Sequence, residues 1–248
     1  MAKVIEIDYL PREYFTPIHE TKKRWIVVVA HRRSGKTTMA LNHLQRDALT
    51  VANSRYAYIA PTYKQAKNIA WDVIKKYAND IPGRDYNEQE LTIKYPNGSR
   101  LTLYGADNPD SLRGIGLWGV VFDEYSQQPS NIFTEIIRPA LADHSGYAIW
   151  IGTPKGKNEF FKLYEQGQKE EEWISMLLTA EDTGVIPEKE LADARKSMSK
   201  EEFEQEWMCS FEAAIQGAFY ANELAQARVD GRITDVPYEK GHPVHTWW

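Results

Sequence analysis

The stretch AHRRSGKT occupies residues 30–37 and joins an apolar run, WIVVVA (25–30), to a segment with apolar residues at helical spacing, TTMALNHLQRDAL (37–49). The apolar run is rich in β-branched residues and has the length of a strand that is buried on both faces. A strand, a turn ending in Gly-Lys-Thr and a helix are the parts of a loop whose backbone N–H groups surround phosphate. Ala30 replaces the first glycine of the usual pattern, so the prediction depends on the flanking strand and helix.

Three residues of this loop offer different groups to a nucleotide. Lys36 places a point charge beside the β- and γ-phosphates, Thr37 offers a hydroxyl to Mg²⁺, and Gly35 permits close approach of the backbone. The alternative is that Gly35 is only a bend in a basic loop. The predicted nucleotide-binding residues are Ala30, His31, Arg32, Arg33, Ser34, Gly35, Lys36, Thr37 and Thr38.

Two adjacent arginines, Arg32 and Arg33, lie inside the loop. Beside a triphosphate, a guanidinium group neutralises the charge that builds up during phosphoryl transfer. The sequence leaves open which of the two acts in cis. For Arg33, an ion pair with a surface carboxylate explains the residue equally well.

Two acids end another apolar run, LWGVVFDE (117–124). The carboxyl end of a buried strand is where α/β sheets bind ligands. We expect Asp123 to hold Mg²⁺ through water and Glu124 to polarise an attacking water. The second acid is typical of ATPases rather than GTPases, and the chain has no Asn-Lys-x-Asp guanine signature, so ATP is the expected nucleotide.

Thr153 and Arg113 are candidates on weaker grounds. Thr153 follows the apolar run YAIWIG (147–152) and lies beside the acid pair if the two strands are neighbours, where it could respond to loss of the γ-phosphate. A turn before Pro154 explains it equally well. Arg113, in the loop NPDSLRG (108–114), could reach a neighbouring subunit's nucleotide as an arginine finger, although most loop arginines are solvated.

Composition excludes several classes of protein. The 248 residues include 30 Lys+Arg and 35 Asp+Glu, a net charge of -5, so any surface for nucleic acid must be local. The lone cysteine, Cys209, excludes an internal disulfide and a cysteine-based zinc site. The start of the chain lacks the apolar segment of a secretory signal and no stretch is long enough to span a membrane, so a reducing cytoplasm is the default compartment.

Strand-like and helix-like segments alternate along the chain, which predicts an α/β fold with a mostly parallel central sheet flanked by helices. A second strand, YAYIAP (56–61), precedes a second helix at 63–78, and Asn97-Gly98 predicts the turn of a hairpin. We expect a core domain over residues 1–181 and a small helical subdomain over 182–232. Residues 233–248 read as a linker and the start of an absent C-terminal domain, the alternative being a natural terminus docked on its own core.

Four motifs occur in a fixed order: HRRSGKT, IAPTYKQAK, SLRGIGLWGVVFDEY and WIGTPKG. Together they resemble the ATPase half of a tailed-phage terminase large subunit, the DNA-packaging motor. The likeness runs from about residue 15 to the end of the chain and includes EEFEQEWMCSFEAAIQGAFY. It implies a P-loop NTPase fold of the additional-strand, catalytic-glutamate type, with residues 182–232 as a helical lid.

The resemblance also assigns roles to single residues. It implies that Lys36 and Thr37 belong to the Walker A motif, Asp123 and Glu124 to the Walker B motif, and Thr153 to the coupling motif. By the same resemblance, Arg32 is the P-loop arginine of such motors and Arg113 acts in trans on the adjacent subunit's ATP. Pro17 and His19 occupy the approximate region of adenine recognition.

The function implied by the resemblance is that of an Mg²⁺-dependent ATPase that drives double-stranded DNA into a phage procapsid. The implied partners are the portal protein, the small terminase subunit and further copies of the chain in a homo-oligomeric ring, expected to be a pentamer, while the isolated chain could be a monomer. The expected location is the host cytoplasm, docked on the procapsid, and not the mature virion or a membrane. Nuclease activity is expected to be absent, because in the family it belongs to the C-terminal domain.

Two other functions stay open from the sequence. A helicase-like, DNA-dependent ATPase of repair or replication would share the sheet, the acid pair and the Ala-Pro-Thr loop, but would need a second ATPase-like domain. A non-hydrolysing, nucleotide-gated assembly subunit would bind ATP without DNA-stimulated turnover. Lys36 and Glu124 favour hydrolysis over the second of these.

Overall fold

A computed structural model of the chain describes residues 5–212 and 221–233. The chain divides into two compact units, the first ending at residue 213 and the second beginning at residue 214. The strands are β1 (Trp25–Ala30), β2 (Arg55–Ala60), β3 (Asp85–Asn87), β4 (Thr92–Lys94), β5 (Arg100–Gly105), β6 (Gly119–Asp123), β7 (Tyr147–Gly152) and β8 (Trp173–Leu178). The α-helices are α1 (Thr16–Glu20), α2 (Lys36–Thr50), α3 (Tyr63–Gln65), α4 (Asp72–Ala78), α5 (Arg138–Ala140), α6 (Glu159–Gly167), α7 (Ala180–Thr183), α8 (Glu188–Ser197), α9 (Lys200–Glu206) and, in the second unit, α10 (Ala221–Val229).

Shorter helical stretches complete these elements. A π-helical segment, Ala66–Trp71, joins α3 to α4, so that the predicted helix at 63–78 is one continuous helical stretch. A second π-helical segment, Phe133–Ile137, leads into α5. Single 3₁₀ turns lie at Glu13–Phe15, Pro109–Leu112 and Tyr125–Gln127.

The strands form one sheet in the order β3-β4-β5-β2-β6-β7-β1-β8. The pairs from β5 to β8 in this order are parallel, and only the β3–β4 and β4–β5 pairs are antiparallel. This arrangement confirms the predicted mostly parallel sheet. The strand β8 lies beside β1 at one edge, and the short β3 forms the other edge.

The predicted hairpin at Asn97-Gly98 joins β4 to β5. Gly98 has a φ of +85°, a left-handed conformation that glycine adopts without steric cost. A Cβ at this position would also lie 2.3 Å from Asn53 Oδ1, so a larger residue would have to displace the Asn53 side chain.

Alternate residues of β1 point into two separate cores. Ile26, Val28 and Ala30 pack with α2 and α4 on one face, whereas Val27 and Val29 pack on the other face with the aromatic side chains near α6. A central parallel strand covered on both sides has to be apolar at every position, which is why WIVVVA is a continuous apolar run.

Three neighbouring strands bring their carboxyl ends to one edge of the sheet. The order β6-β7-β1 places the end of β7 between the acid pair after β6 and the loop after β1. The loop after β1 and the acid pair at the end of β6 are therefore neighbours in space, although about 90 positions of sequence separate them.

The helices α7 to α9 belong to the same compact unit as the sheet. The subdivision into a core over 1–181 and a helical lid over 182–232 stays a prediction. Residues 213–220 and 234–248, which include most of the predicted linker at 233–248, lie outside the described residues. In the two described ranges, no helix is both long enough and apolar enough to cross a membrane.

Trp150 should be the position at which substitution most destabilises the core on the Val27 and Val29 face of β1. It is fully buried on β7, and its ring stacks on Trp173 and Phe122 at centroid distances of 5.5 and 5.9 Å. Trp150→Ala should lower the free energy of unfolding by roughly 3–5 kcal/mol, because it leaves a large cavity. Trp150→Phe should cost clearly less, since the Trp150 Nε1–H has no hydrogen-bond partner among the described residues. Urea denaturation measures both, and equal losses would contradict this account of the core.

Candidate active site

The loop between β1 and α2 has the backbone shape of a phosphate-binding turn. Gly35 adopts a φ of +92° at the start of α2, and Arg33 is also left-handed, with a φ of +67°. The first turn of an α-helix has amide N–H groups without partners inside the helix, and these groups favour an anion. The Ser34 hydroxyl is buried and has no hydrogen-bond partner in the described part of the chain.

The segment before β1 supports this loop from outside, which the sequence analysis did not predict. Arg12 Nη1 donates to the backbone oxygens of Ser34 and Arg33 at 2.7 and 3.2 Å. The Tyr14 hydroxyl donates to the same Ser34 oxygen at 2.7 Å. These bonds fix the carbonyl groups of the turn, so the loop is shaped in part by residues about 20 positions upstream.

The Walker B candidates meet the loop across the carboxyl ends of the strands. Lys36 Nζ lies 3.4 Å from Glu124 Oε1, and Thr37 Oγ1 donates to Asp123 Oδ2 at 3.1 Å. Glu124 has a φ of +49°, an uncommon conformation for a residue with a side chain, which turns its carboxylate toward Lys36. The structure thus brings together the four residues on which the sequence prediction depends.

Asp123 is held by three donors. The Glu124 backbone N–H donates to its Oδ1 at 2.9 Å, and the hydroxyls of Thr37 and Tyr58 donate to its Oδ2. Burial raises the pKa of Asp123, and the neighbouring Glu124 carboxylate raises it further. Burial also raises the pKa of Tyr58 far above its ordinary value, so the phenol stays protonated and acts as a donor.

Thr153 lies beside the acid pair, in the position expected for neighbouring strands. Its backbone N–H donates to Glu124 Oε2 at 3.3 Å, and its carbonyl accepts from the Ser126 hydroxyl at 3.1 Å. The residue is buried at the end of β7. A shift of the Glu124 carboxylate would therefore be felt directly by the backbone that follows β7.

Arg32 and His31 connect the loop to the helices that follow β8. Arg32 Nε lies 2.5 Å from Glu206 Oε2, so its guanidinium faces α9 rather than Lys36. His31 is buried, and its Nε2 lies 2.7 Å from the Thr183 hydroxyl of α7. Burial lowers the pKa of His31, which favours the neutral ring.

Arg113 is not brought to the acid pair of its own chain. It lies just after the 3₁₀ turn Pro109–Leu112, its side chain is 58% exposed, and its Nε pairs with Asp110 at 2.9 Å. In the part of the chain that the structure describes, the ion pair of Arg113 is with a neighbour three residues away, which leaves the exposed guanidinium available to a partner. Its predicted role in trans stays a prediction.

A cavity of about 200 Å³ adjoins the loop at the start of α2. Its walls are Tyr9, Leu10, Arg12, Phe15, Gly35, Thr38 and Tyr77. Pro17 and His19, the residues in the approximate region of adenine recognition, do not line this cavity. The His19 Nε2 atom instead lies 3.0 Å from the hydroxyl of Tyr9, which does line it. No motif marks Tyr9, Arg12 or Tyr77 in the sequence, since their proximity arises from tertiary packing.

The site offers oxygen ligands suited to a hard divalent cation. Thr37 Oγ1 and Asp123 Oδ2 are 3.1 Å apart and lie at the mouth of the loop. A hydroxyl and a carboxylate are ligands that Mg²⁺ accepts when phosphate oxygens and water complete its octahedron. The predicted metal residues, Thr37 and Asp123, therefore supply groups that suit Mg²⁺.

The chain is similar to phage terminases in sequence and in structure. A family model described as "Terminase large subunit, T4likevirus-type, N-terminal" matches residues 27–226. The terminase large subunit of Escherichia phage T5 is 29% identical over 204 residues, which covers 78% of this chain and 45% of that protein. The chain thus spans less than half the length of this relative.

Solved structures with the same fold are ATPase domains and whole large terminases. The large terminase ATPase domain of Thermus phage P74-26 superposes with a TM-score of 0.72 at 24% identity, covering 82% of this chain and 94% of that chain. A large terminase from a thermophilic bacteriophage, solved in complex with ADP, gives a TM-score of 0.64 at 18% identity and covers 76% and 48%. These similarities confirm the predicted P-loop NTPase fold.

The buried Asp123 carboxylate should destabilise the protein when no cation is bound. Because its pKa is raised in the folded state, stability falls as the pH rises above about 4, the range in which an unfolded aspartate ionises. Relative to the native chain, Asp123→Asn should therefore gain stability against urea as the pH rises from about 4 to 7 without Mg²⁺. The amide has one acceptor fewer for the three donors, so the readout is this change with pH and not the difference at a single pH.

Asp182→Asn is a control of opposite sign. Hydrogen bonds from the Thr179 hydroxyl and backbone N–H lower the pKa of Asp182, so its ionised form stabilises the fold above about pH 4. This variant should be less stable than the native chain at pH 7 and should approach it in acid. The interpretation of Asp123 is wrong if both substitutions shift stability in the same direction as the pH rises.

Proposed function

The chain belongs to the terminase large-subunit family, and on that premise we propose that it is the ATPase of a phage DNA-packaging motor, which hydrolyses ATP to move double-stranded DNA into a procapsid. The observation that carries the proposal is the convergence of Lys36, Thr37, Asp123 and Glu124 at one edge of the sheet. Of the functions left open by the sequence, family membership favours packaging over a helicase.

ATP binds with its phosphates against the amides at the start of α2. Lys36 Nζ leaves Glu124 and contacts the β- and γ-phosphates, for which an ammonium group is well suited. The adenine ring enters the cavity beside Gly35, where Tyr9, Phe15 and Tyr77 provide aromatic walls. Aromatic side chains with a few polar groups are typical of small-molecule pockets.

Hydrolysis is an in-line attack of water on the γ-phosphorus. The new P–O bond forms as the bond from the γ-phosphorus to the β–γ bridging oxygen breaks, which yields ADP and inorganic phosphate. Glu124 orients the water and accepts its proton. The bond from Thr153 N to Oε2 holds the Glu124 carboxylate while Oε1, released by Lys36, faces the water.

Mg²⁺ is the metal for which Thr37 Oγ1 and Asp123 are the proposed ligands, and when bound it supplies positive charge that neutralises the phosphate oxygens. The hydrogen bond between these two side chains already holds both oxygens at one place. Tyr58 and the Glu124 backbone N–H keep the Asp123 carboxylate in that orientation.

Arg32 is the proposed arginine in cis, although its guanidinium faces Glu206. An ion pair with an exposed arginine has little net stability, since the Arg32 side chain is 67% exposed. Arg32 can therefore exchange the Glu206 carboxylate for the γ-phosphate when ATP is bound. That exchange would release a contact between the loop and α9.

Movement is transmitted through Thr153, which contacts Glu124 of the acid pair, and through α7 and α9, which contact the loop. In the proposed assembly, copies of the chain form a homo-oligomeric ring, expected to be a pentamer, on the portal protein. The small terminase subunit and double-stranded DNA are the other partners. The motor works in the host cytoplasm on the procapsid and is absent from the mature virion.

The variant Glu124→Gln tests whether Glu124 is the general base. Glutamine keeps the acceptor for Thr153 N but cannot take a proton, so the turnover number should fall by about 10²- to 10⁴-fold. Equilibrium binding of ATP should be retained, whereas Lys36→Ala should lose it. Glu188→Gln, an exposed acid on α8, is the matched control and should hydrolyse normally. Near-native turnover by Glu124→Gln would remove Glu124 from the base role.

Arg113 is tested by mixing two inactive variants. If it acts in trans, the isolated monomer hydrolyses poorly, and Arg113→Ala should be inactive although its own site is intact. Mixing it with Glu124→Gln should restore part of the activity, because some interfaces then combine an intact Arg113 with an intact Glu124. Asp110→Asn, which removes only the ion-pair partner of Arg113, should stay active. An unrescued mixture would argue against the trans role.

A further inference from the structure

We propose that Tyr58 is a positioning residue for the metal site: its hydroxyl fixes the Asp123 carboxylate in the orientation that binds the cation. Tyr58 lies outside the phosphate loop and the acid pair, and no motif of the sequence analysis includes it. The inference rests on the proposed function, because it takes Thr37 and Asp123 as the ligands of the metal.

The sheet register brings the Tyr58 side chain to the carboxylate. Tyr58 of β2 pairs with Val121 of β6, and Asp123 lies two residues further along on the same face. A diagonal neighbour at this distance is within reach of an aromatic side chain. Tyr58 is 1% exposed, and its hydroxyl donates to Asp123 Oδ2.

The distance between the two strands is itself fixed at this point. Gln128 Nε2 donates to the Ile59 backbone oxygen of β2 at 2.9 Å and to the Asp123 backbone oxygen of β6 at 2.7 Å. One amide thus joins the ends of both strands. Tyr58 and Asp123 are held beside each other by the backbone and do not depend on the hydroxyl contact alone.

The three donors to Asp123 have different tasks. Thr37 also has to offer its oxygen to the metal, and the Glu124 N–H belongs to a backbone segment with left-handed geometry that carries the proposed base. Tyr58 is neither a proposed ligand of the metal nor part of the backbone that carries the proposed base. It is buried, its hydroxyl is bonded to the same Asp123 oxygen as Thr37, and it also interacts with the Thr37 hydroxyl.

A fixed carboxylate matters because Mg²⁺ demands near-ideal geometry and accepts few protein ligands. Without the Tyr58 hydroxyl, one of the three hydrogen bonds that orient the Asp123 carboxylate is lost. Binding of the cation then has to restrict the carboxylate further, which lowers the affinity for the cation. Loss of an outer hydrogen bond to a metal ligand typically costs 10–100-fold in metal affinity. We expect a loss in this range for Tyr58→Phe.

The experiment measures Mn²⁺ binding in the presence of ADP, by titration with electron paramagnetic resonance detection. Tyr58→Phe should bind Mn²⁺ 10–100-fold more weakly than the native chain. Binding of ADP in the presence of EDTA should be unchanged, because the phosphate loop is intact. Neither readout depends on turnover.

Tyr147→Phe is the matched control. Tyr147 is a partly buried tyrosine at the start of β7, and its hydroxyl donates to a carboxylate oxygen, Asp47 Oδ2, at 2.8 Å. The substitution deletes the same kind of bond away from the phosphate loop. It should lower the thermal unfolding midpoint as Tyr58→Phe does and leave Mn²⁺ affinity unchanged. Unchanged Mn²⁺ affinity in Tyr58→Phe, or equal losses in both variants, would overturn the proposal.

Gln128→Ala provides a second route should Tyr58→Phe fold poorly. It leaves the tyrosine in place but removes the amide that joins β2 to β6, and Gln128 is only partly buried. Mn²⁺ affinity should fall several-fold, because β2 and β6 are held together less firmly beside Asp123; full affinity would count against the positioning role.

Failure of the proposed function would look different. If Thr37→Ala bound Mn²⁺·ADP as tightly as the native chain, the metal would lie elsewhere and the assignment of the site would be wrong. If Thr37→Ala lost the metal and Tyr58→Phe did not, the site would stand and the role of Tyr58 would be rejected.

Discussion

The contact between Lys36 and Glu124 is the constraint on which the site depends. The two residues follow different strands, β1 and β6, and the sheet, with β7 between these strands, brings their side chains to 3.4 Å. The side chains of Lys36 and Glu124 are both partly shielded from water, and both lie at the proposed binding site of the triphosphate. The ion pair thus holds the proposed base and the proposed phosphate-binding lysine in place, and in the proposed mechanism both change partner when a nucleotide binds.

The same loop is also tied to other parts of the chain. Arg12 and Tyr14 hold its carbonyl groups, Arg32 pairs with Glu206, and Thr37 meets Asp123. A change in the charge bound by the loop therefore acts on the upstream segment, on α9 and on β6 together. In the proposed motor, a chemical step at the nucleotide would therefore act directly on several elements.

Most of the sheet could be predicted from the sequence because β1, β2, β6 and β7 are apolar runs buried on both faces. The edge strand β8 could not be predicted, because all of its residues after Trp173 are only half-buried and its pattern is less regular. The acid pair and the Gly-Lys-Thr turn carry their chemistry in adjacent residues and were predictable. Arg12, Tyr58 and Tyr77 were not, because each acts through contacts that tertiary packing alone creates.

The most direct test of the central claim is a crystal structure of the chain with ADP, Mg²⁺ and beryllium fluoride as a mimic of the γ-phosphate. The account predicts that the phosphates contact the amides of residues 34–37 and Lys36 Nζ, with Glu124 released from the lysine and facing the beryllium fluoride. A nucleotide bound elsewhere, with Lys36 and Glu124 still paired, would contradict it.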